Sequence, residues 1–281
     1  MKFTKYHALG NDYLVLDPGE QGRPATLTPE QIKTICDRHF GIGSDGILFG
    51  PQPSSQASFS LRIFNPDGSE AEKSGNGLRI FCRYLWDRKL VGDEPFSVET
   101  KGGIVQATIL NSGALVRVEM GKVSFKSEDI PVAGRSRDVL REEILAGDRT
   151  FQFCGATIGN PHCVIPLDGI SAGLAREYGP LLENHVLFPH RTNVQFLTVL
   201  DRRNIQIEIW ERGAGYTLAS GSSSCASAAV ARRLGLCDSN IAVHMPGGNI
   251  EISLDDEFRV TMTGPVTRVA DINLSKEILN K

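Results

Sequence analysis

One pattern occurs twice in this chain and limits its fold more than any other feature. Leu61-Arg62-Ile63-Phe64-Asn65 runs up to Ser74-Gly75-Asn76, and Ile207-Glu208-Ile209-Trp210-Glu211 runs up to Ser220-Gly221-Ser222. Asn65 precedes Ser74 by nine residues, and Glu211 precedes Ser220 by nine. In both copies an alternating, strand-like stretch leads through small residues to Ser-Gly and then to an apolar helix. Upstream, Asn11 of Gly10-Asn11 and Asn160 of Gly159-Asn160 are 149 residues apart, close to the 146 that separate the two serines. A shared offset at two places predicts two related domains that face one another, with a ligand cleft between them.

The 281 residues leave room for two such domains of about 100–150 residues each. The expected boundaries are 1–120 plus 265–281 for the first domain and 121–264 for the second. Polar Ser124–Arg149 reads as the most linker-like stretch. Thirty Lys and Arg against 33 Asp and Glu give a net charge of -3 with no basic stripe, which argues against a nucleic-acid partner. No apolar run approaches the ~18 residues of a membrane span, and Met1–His7 leads into polar Gly10-Asn11-Asp12 rather than a signal peptide. A cytoplasmic location is expected. Cys36, Cys82, Cys154, Cys163, Cys225 and Cys237 contain no CxxC and no paired His ligands, so free, mostly buried thiols are expected and no metal.

Local signals place the elements. Phe3–Asp17 reads as two strands about a Gly10-Asn11-Asp12 turn. Thr28 is a cap candidate, with Pro29 at the first helical position and Ile32, Ile35 and Cys36 at helical spacing. Ser58–Phe64 alternates as a strand. Helices are expected from the Ser74-Gly75-Asn76-Gly77 turn to Leu90 and from Cys225 to Leu236, with strands over 96–118, 205–210, 241–243, 249–253 and 258–263. Without a regular βαβ period, the class is α+β.

Each Ser-Gly turn puts small residues and backbone N–H groups at a helix start, which attracts carboxylates. A plain N-cap accounts for one copy. Two matched copies point to a site, and Ser222-Ser223-Ser224 adds more hydroxyls than capping needs. Gly41-x-Gly43-x-x-Gly46 has dinucleotide spacing, but a helix rather than a strand precedes it, so it is not a Rossmann turn. No GxSxG elbow is present.

Several blocks together resemble the diaminopimelate epimerase family. They are Lys5–Tyr13, Gly41–Gly46, Phe64–Glu72, Gly75–Arg79, Gly159–His162, Arg191–Val194 and Trp210–Gly213, in the family order. The resemblance implies two pseudo-symmetric domains, each a curved, mostly antiparallel sheet around a central helix, and a homodimer. It implies epimerisation or racemisation at an amino-acid α-carbon without pyridoxal phosphate, metal or other cofactor, in lysine or cell-wall precursor synthesis. It carries substrate binding onto Asn11, Asn65, Gly75, Asn76, Asn160, Asn193, Glu211, Arg212, Gly221 and Ser222. Chemically these suit a zwitterion: backbone donors and Asn76 for the α-carboxylate, Glu211 for an ammonium group, Arg212 for a distal carboxylate.

The chain departs from the family where the chemistry is expected. The resemblance implies a catalytic cysteine immediately before the Gly of each turn, and this sequence has Ser74 and Ser220 there. A two-base reaction needs one group as anion and its opposite as acid. A thiol of pKa ~8.5 reaches that state near neutrality, whereas a hydroxyl is far less acidic. His162 and Glu211, which the family places beside the thiols, are the candidates to share the proton work with Ser74 and Ser220. Three outcomes stay open on sequence: the family epimerisation, a relative with another substrate or one-base lyase or isomerase chemistry, and a silent amino-acid-binding protein.

Overall fold

The computed structural model describes residues 1–21, 26–275 and 277–278. The chain divides into two compact units, Met1–Val118 with Gly264–Lys281, and Glu119–Thr263. Residues 276 and 279–281 of the expected 265–281 stretch lie outside the described residues.

The first unit opens with β1 (Lys2–Ala8) and β2 (Asn11–Leu16), then α1 (Pro29–Cys36), β3 (Ile47–Gln52), β4 (Phe59–Phe64) and β5 (Glu70–Ala71). The helix α2 (Gly75–Asp87) follows, with β6 (Phe96–Thr100), β7 (Gly103–Leu110) and β8 (Leu115–Lys122). The second unit holds β9 (Glu142–Ala146), β10 (Arg149–Thr157), β11 (Pro161–Pro166), α3 (Ala172–Glu183), β12 (Asn193–Asp201), β13 (Asn204–Glu211) and β14 (Gly215–Thr217). It continues with α4 (Gly221–Arg233), β15 (Asn240–Met245), β16 (Gly248–Leu254) and β17 (Arg259–Pro265), and the chain re-enters the first unit as β18 (Thr267–Asn273).

Strand pairing turns the sequence repeat into a topological one. The first unit is ordered β18-β1-β2-β3-β4-β6-β7-β8, antiparallel except for the parallel pairs β2–β3 and β4–β6, with β5 beside the end of β4. The second is ordered β9-β10-β11-β12-β13-β15-β16-β17, antiparallel except for β11–β12 and β13–β15, with β14 beside the end of β13. Each parallel pair is bridged by a connection that carries a helix, as parallel neighbours require. The central helix α4 touches β10, β11, β12, β13, β15 and β16. Six strands at ~4.8 Å spacing are wider than a helix of ~10–12 Å, so the sheet must curve around α4. This is the α+β architecture expected from sequence.

Local chemistry explains the helix starts. Thr28 accepts from Gln31 N while the Gln31 side chain receives Thr28 N–H, a capping box with Pro29 inside it. Tyr84 of α2 donates to Asp17 at 2.9 Å and Tyr6 of β1 donates to Asp87 at 2.8 Å, pinning α2 to its sheet. All six cysteines are free and buried.

Ser124–Arg149 is not a linker. Ile130, Val132 and Val139 enter the second unit's core beside Phe153 and Phe188. Ser124 pairs with Thr157, and Glu142–Ala146 is β9 itself. Most of its polar residues face water, Ser127 excepted, while scattered apolar ones anchor it, a pattern without the period that reveals a strand or helix.

Candidate active site

Ser74 and Ser220 are both N-caps in extended conformation, with φ/ψ of -139°/119° and -144°/124°. Ser74 Oγ accepts from Gly77 N at 3.0 Å, and Ser220 Oγ from Ser223 N at 3.4 Å. Gly75 and Gly221 are the buried first residues of α2 and α4. Each serine oxygen therefore sits where a helix start favours negative charge.

Around Ser74 the first unit builds a polar chain. Asn76 donates to Asn11 Oδ1 at 3.0 Å and accepts from the fully buried Arg79 at 2.7 Å. Asn11 donates in turn to Asp45 at 2.8 Å. Arg38 bridges Asp12 and Asp45 at 2.7 and 2.6 Å, and Lys5 reaches Asp12 at 2.7 Å. Burial pushes the Asp12 carboxyl up, but hydrogen bonds from Arg38 and Lys5 outweigh it and hold it below the usual range. Sequence reasoning brought Asn11 and Asn76 together but gave no role to Asp45, although it lies in the quoted Gly41–Gly46 block. Asn65 stands apart from this chain of contacts: its side chain donates to Ser69 across the Pro66–Gly68 turn at 3.0 Å.

In the second unit the partners differ. His162 is fully buried, with Nε2 at 3.1 Å from Asn160 Oδ1 and Nδ1 at 3.3 Å from Gln195 Oε1. Burial lowers its pKa from 6.5 to about 3, so it is neutral at pH 7 and a weak base. A neutral ring donates once, so only one of these carbonyl oxygens receives its N–H. Asn160 donates to Ser222 at 3.3 Å and Gln195 to Ser223 at 3.0 Å, while Ser224 donates to the Ser220 carbonyl at 2.8 Å. The serine run is thus largely consumed in building the turn. Gln195 carried no sequence signal.

Asn193 donates to Pro161 O and accepts from Arg212 N at 3.0 Å, so it ties the Glu211–Gly213 turn to the strand that carries His162. The Arg212 head is exposed and donates to His190 O at 3.1 Å. Glu211, half-exposed, closes β13 opposite Gly215 of β14. Cys82 and Cys225 are buried inside α2 and α4, and burial pushes the Cys82 thiol far up, so it supplies no thiolate. Among the described residues no cluster of His, Cys, Asp and Glu suits a metal ion. No helix among them is long and apolar enough to cross a membrane.

A pH prediction follows from His162. Its folded pKa lies below its unfolded value, so the unfolded chain binds the proton first. Stability is complete above about 6.5 and drains as pH falls toward about 3. Urea midpoints from pH 7 to pH 4 should fall more steeply for the wild type than for His162→Gln; equal slopes would deny that His162 is buried neutral.

Known structures share this architecture. A probable proline racemase from Agrobacterium radiobacter K84 aligns with a TM-score of 0.73 over 98% of this chain and 93% of its own, at 15% identity. A hydroxyproline epimerase from Agrobacterium vitis aligns with 0.72 over 97% and 91%, at 14% identity. The class is therefore the α+β fold that these racemase and epimerase structures display. The family profile described as diaminopimelate epimerase matches residues 3–126 and 154–269. A relative named diaminopimelate epimerase 2, from Nostoc sp. strain PCC 7120, is 65% identical over 278 residues, 99% of this chain and 97% of the relative. This chain belongs to the diaminopimelate epimerase family, and so to the epimerases and racemases among the isomerases.

Proposed function

We propose that this protein inverts the α-carbon of a dicarboxylic amino acid of the diaminopimelate type by proton transfer, without pyridoxal phosphate or metal. The observation that carries the reading is the doubled device: each repeat ends a strand, turns, and caps a helix with a serine oxygen that accepts a backbone N–H. In this reading Ser74 and Ser220 move the α-proton, the roles that the family resemblance gives to their positions. Gly75, Asn76, Gly221 and Ser222 receive the α-carboxylate at the helix starts, where donors and dipole favour an anion. Asn11, Asn65, Asn160 and Asn193 orient the remaining polar groups, Glu211 accepts from an ammonium group, and Arg212 holds the distal carboxylate. His162, too weak a base to take the proton at pH 7, holds Asn160 and Gln195 in place. A homodimer in the cytoplasm, serving lysine or cell-wall precursor synthesis, completes the proposal on the strength of the family.

Solvent deuterium is the test. The protein incubated with diaminopimelate in D2O should label the α-position and interconvert stereoisomers, both read by NMR. Binding without label would leave an amino-acid-binding protein instead. The distal clamp has its own expected result. Arg212→Ala should weaken a dicarboxylic ligand by about 1.5 kcal/mol, the lower end for a charge-assisted hydrogen bond because the head is exposed. Its mono-carboxylic analogue should be nearly unaffected in calorimetry. Equal losses would assign Arg212 to the fold or to the α-carboxylate.

A further inference from the structure

Register equates two residues of unlike type. In the first unit Leu14 pairs with Ile47, and Ile47 with Phe64. In the second, Cys163 pairs with Val194, and Val194 with Trp210. The preceding residues, Tyr13 and His162, therefore hold the same place in the two sheets, each two residues after the repeated asparagine. Both are buried, at 7% and 0% exposure. Their reach differs. The His162 ring stops at Asn160 and Gln195, whereas Tyr13 Oη lies 3.2 Å from Ser74 Oγ itself. Gly46 seats the phenol: a Cβ there would come within 2.7 Å of Tyr13 Cε1. A rigidly placed phenol thus touches the oxygen that caps α2.

We propose that Tyr13 is the proton acceptor behind Ser74, a positioning residue that lets an aliphatic hydroxyl serve where a thiol is expected. The proposal rests on the function proposed above. With Tyr13 as phenolate, Ser74 Oγ takes the α-proton while its own proton passes to Tyr13 Oη. The Cα–H bond breaks and its electron pair stays on the α-carbon; the new Ser74 O–H forms as the old one breaks, and the phenolate's charge ends on the substrate. In the reverse direction Ser74 delivers its proton to the carbanion and recovers one from Tyr13. A phenol of ordinary pKa ~10 ionises far more readily than an aliphatic hydroxyl. The Gly77 N–H at 3.0 Å and the start of α2 stabilise charge on Oγ in transit. The second turn has no phenol at the matching place, so the two faces of the reaction differ in their proton acceptors.

The experiment is a coupling measurement on the full chain. Tyr13→Phe keeps the ring against Gly46 and removes only the hydroxyl. Deuterium uptake into diaminopimelate is followed from pH 6 to 10 for wild type, Tyr13→Phe, Ser74→Cys and the double variant. With Ser74 present, Tyr13→Phe should slow exchange by about 10²-fold and flatten its rise with pH. With Ser74→Cys, whose thiolate needs no second acceptor, the loss should shrink to a few-fold. Fluorinated tyrosine at position 13 should shift the pH limb downward, which a packing role cannot do. Equal losses in both backgrounds, an unmoved limb, or full activity of Tyr13→Phe would each overturn the role of Tyr13 while leaving the epimerase reading intact. A wild type that exchanges no α-proton would overturn both.

Discussion

Ser74→Cys combined with Ser220→Cys should raise α-proton exchange and epimerisation of diaminopimelate by about 10²–10⁴-fold, the usual range for a well-placed acid or base. Both serines cap helices, and both oxygens accept a backbone N–H from the first turn. A thiol at the same place meets the same N–H group and the same end of the helix dipole, which lower its pKa toward neutrality. Each single variant should gain much less. Inversion needs a competent group on both faces, and one thiol leaves the other face to a hydroxyl. The gains are therefore non-additive, as expected of two residues that act as one unit. Stereoisomer conversion and deuterium uptake, measured on the same samples, check it. If the double variant folds, binds the amino acid and exchanges no faster, the hydroxyls are not the obstacle.

The second large effect concerns a residue outside every motif. Glu183→Ala should destabilise the protein by about 1–3 kcal/mol, because the half-buried Trp210 indole N–H and the Gly213 amide, which water partly reaches, lose a charged acceptor. Glu183 ends α3 and is only 6% exposed. Its carboxylate receives Trp210 Nε1 at 2.7 Å, Gly213 N at 2.9 Å and Arg191 Nη1 at 3.0 Å. The indole lies directly on the α3 backbone: a Cβ on Gly179 would come within 2.5 Å of Trp210 Cγ. Glu183 therefore clamps both ends of the Trp210–Gly213 turn that presents Glu211 and Arg212. Urea unfolding gives the stability change, and calorimetry with diaminopimelate should show weaker binding in whatever folded protein remains. Glu183→Gln, which keeps one acceptor oxygen, should fall between. A loss under about 1 kcal/mol would mean that water replaces the carboxylate at no cost.

The starts of α1 and α2 were legible because their causes are local, whereas α4 begins at Gly221, four residues before the expected Cys225, and α3 is not expected from sequence. Thr28, Ser74 and Ser220 each satisfy amides within three residues, so a short window of sequence contains both donor and acceptor. The repeat was legible for a related reason. Two copies of one strand, turn and helix bring the same pairing rules with them, and Phe64 and Trp210 indeed take matching places in the two sheets. What tertiary structure alone decided is whatever depends on partners far apart in the chain. Residues 265–281 are expected in the first domain from sequence, but nothing local in Thr267–Asn273 marks that it forms β18 or fixes its register against Lys2–His7. Ser124–Arg149 looks polar because its few apolar anchors follow the contours of a core assembled from other segments. Asp45, Gln195 and Glu183 acquire their roles from side chains 34, 28 and 27 residues away. Tyr13 reads as one more strand residue until folding brings Ser74, 61 residues on, against its hydroxyl. Short-range hydrogen bonds and hydrophobic period are written in the order of residues, whereas the environment that makes a hydroxyl or an imidazole acidic or basic is assembled by packing, and only the folded chain specifies it.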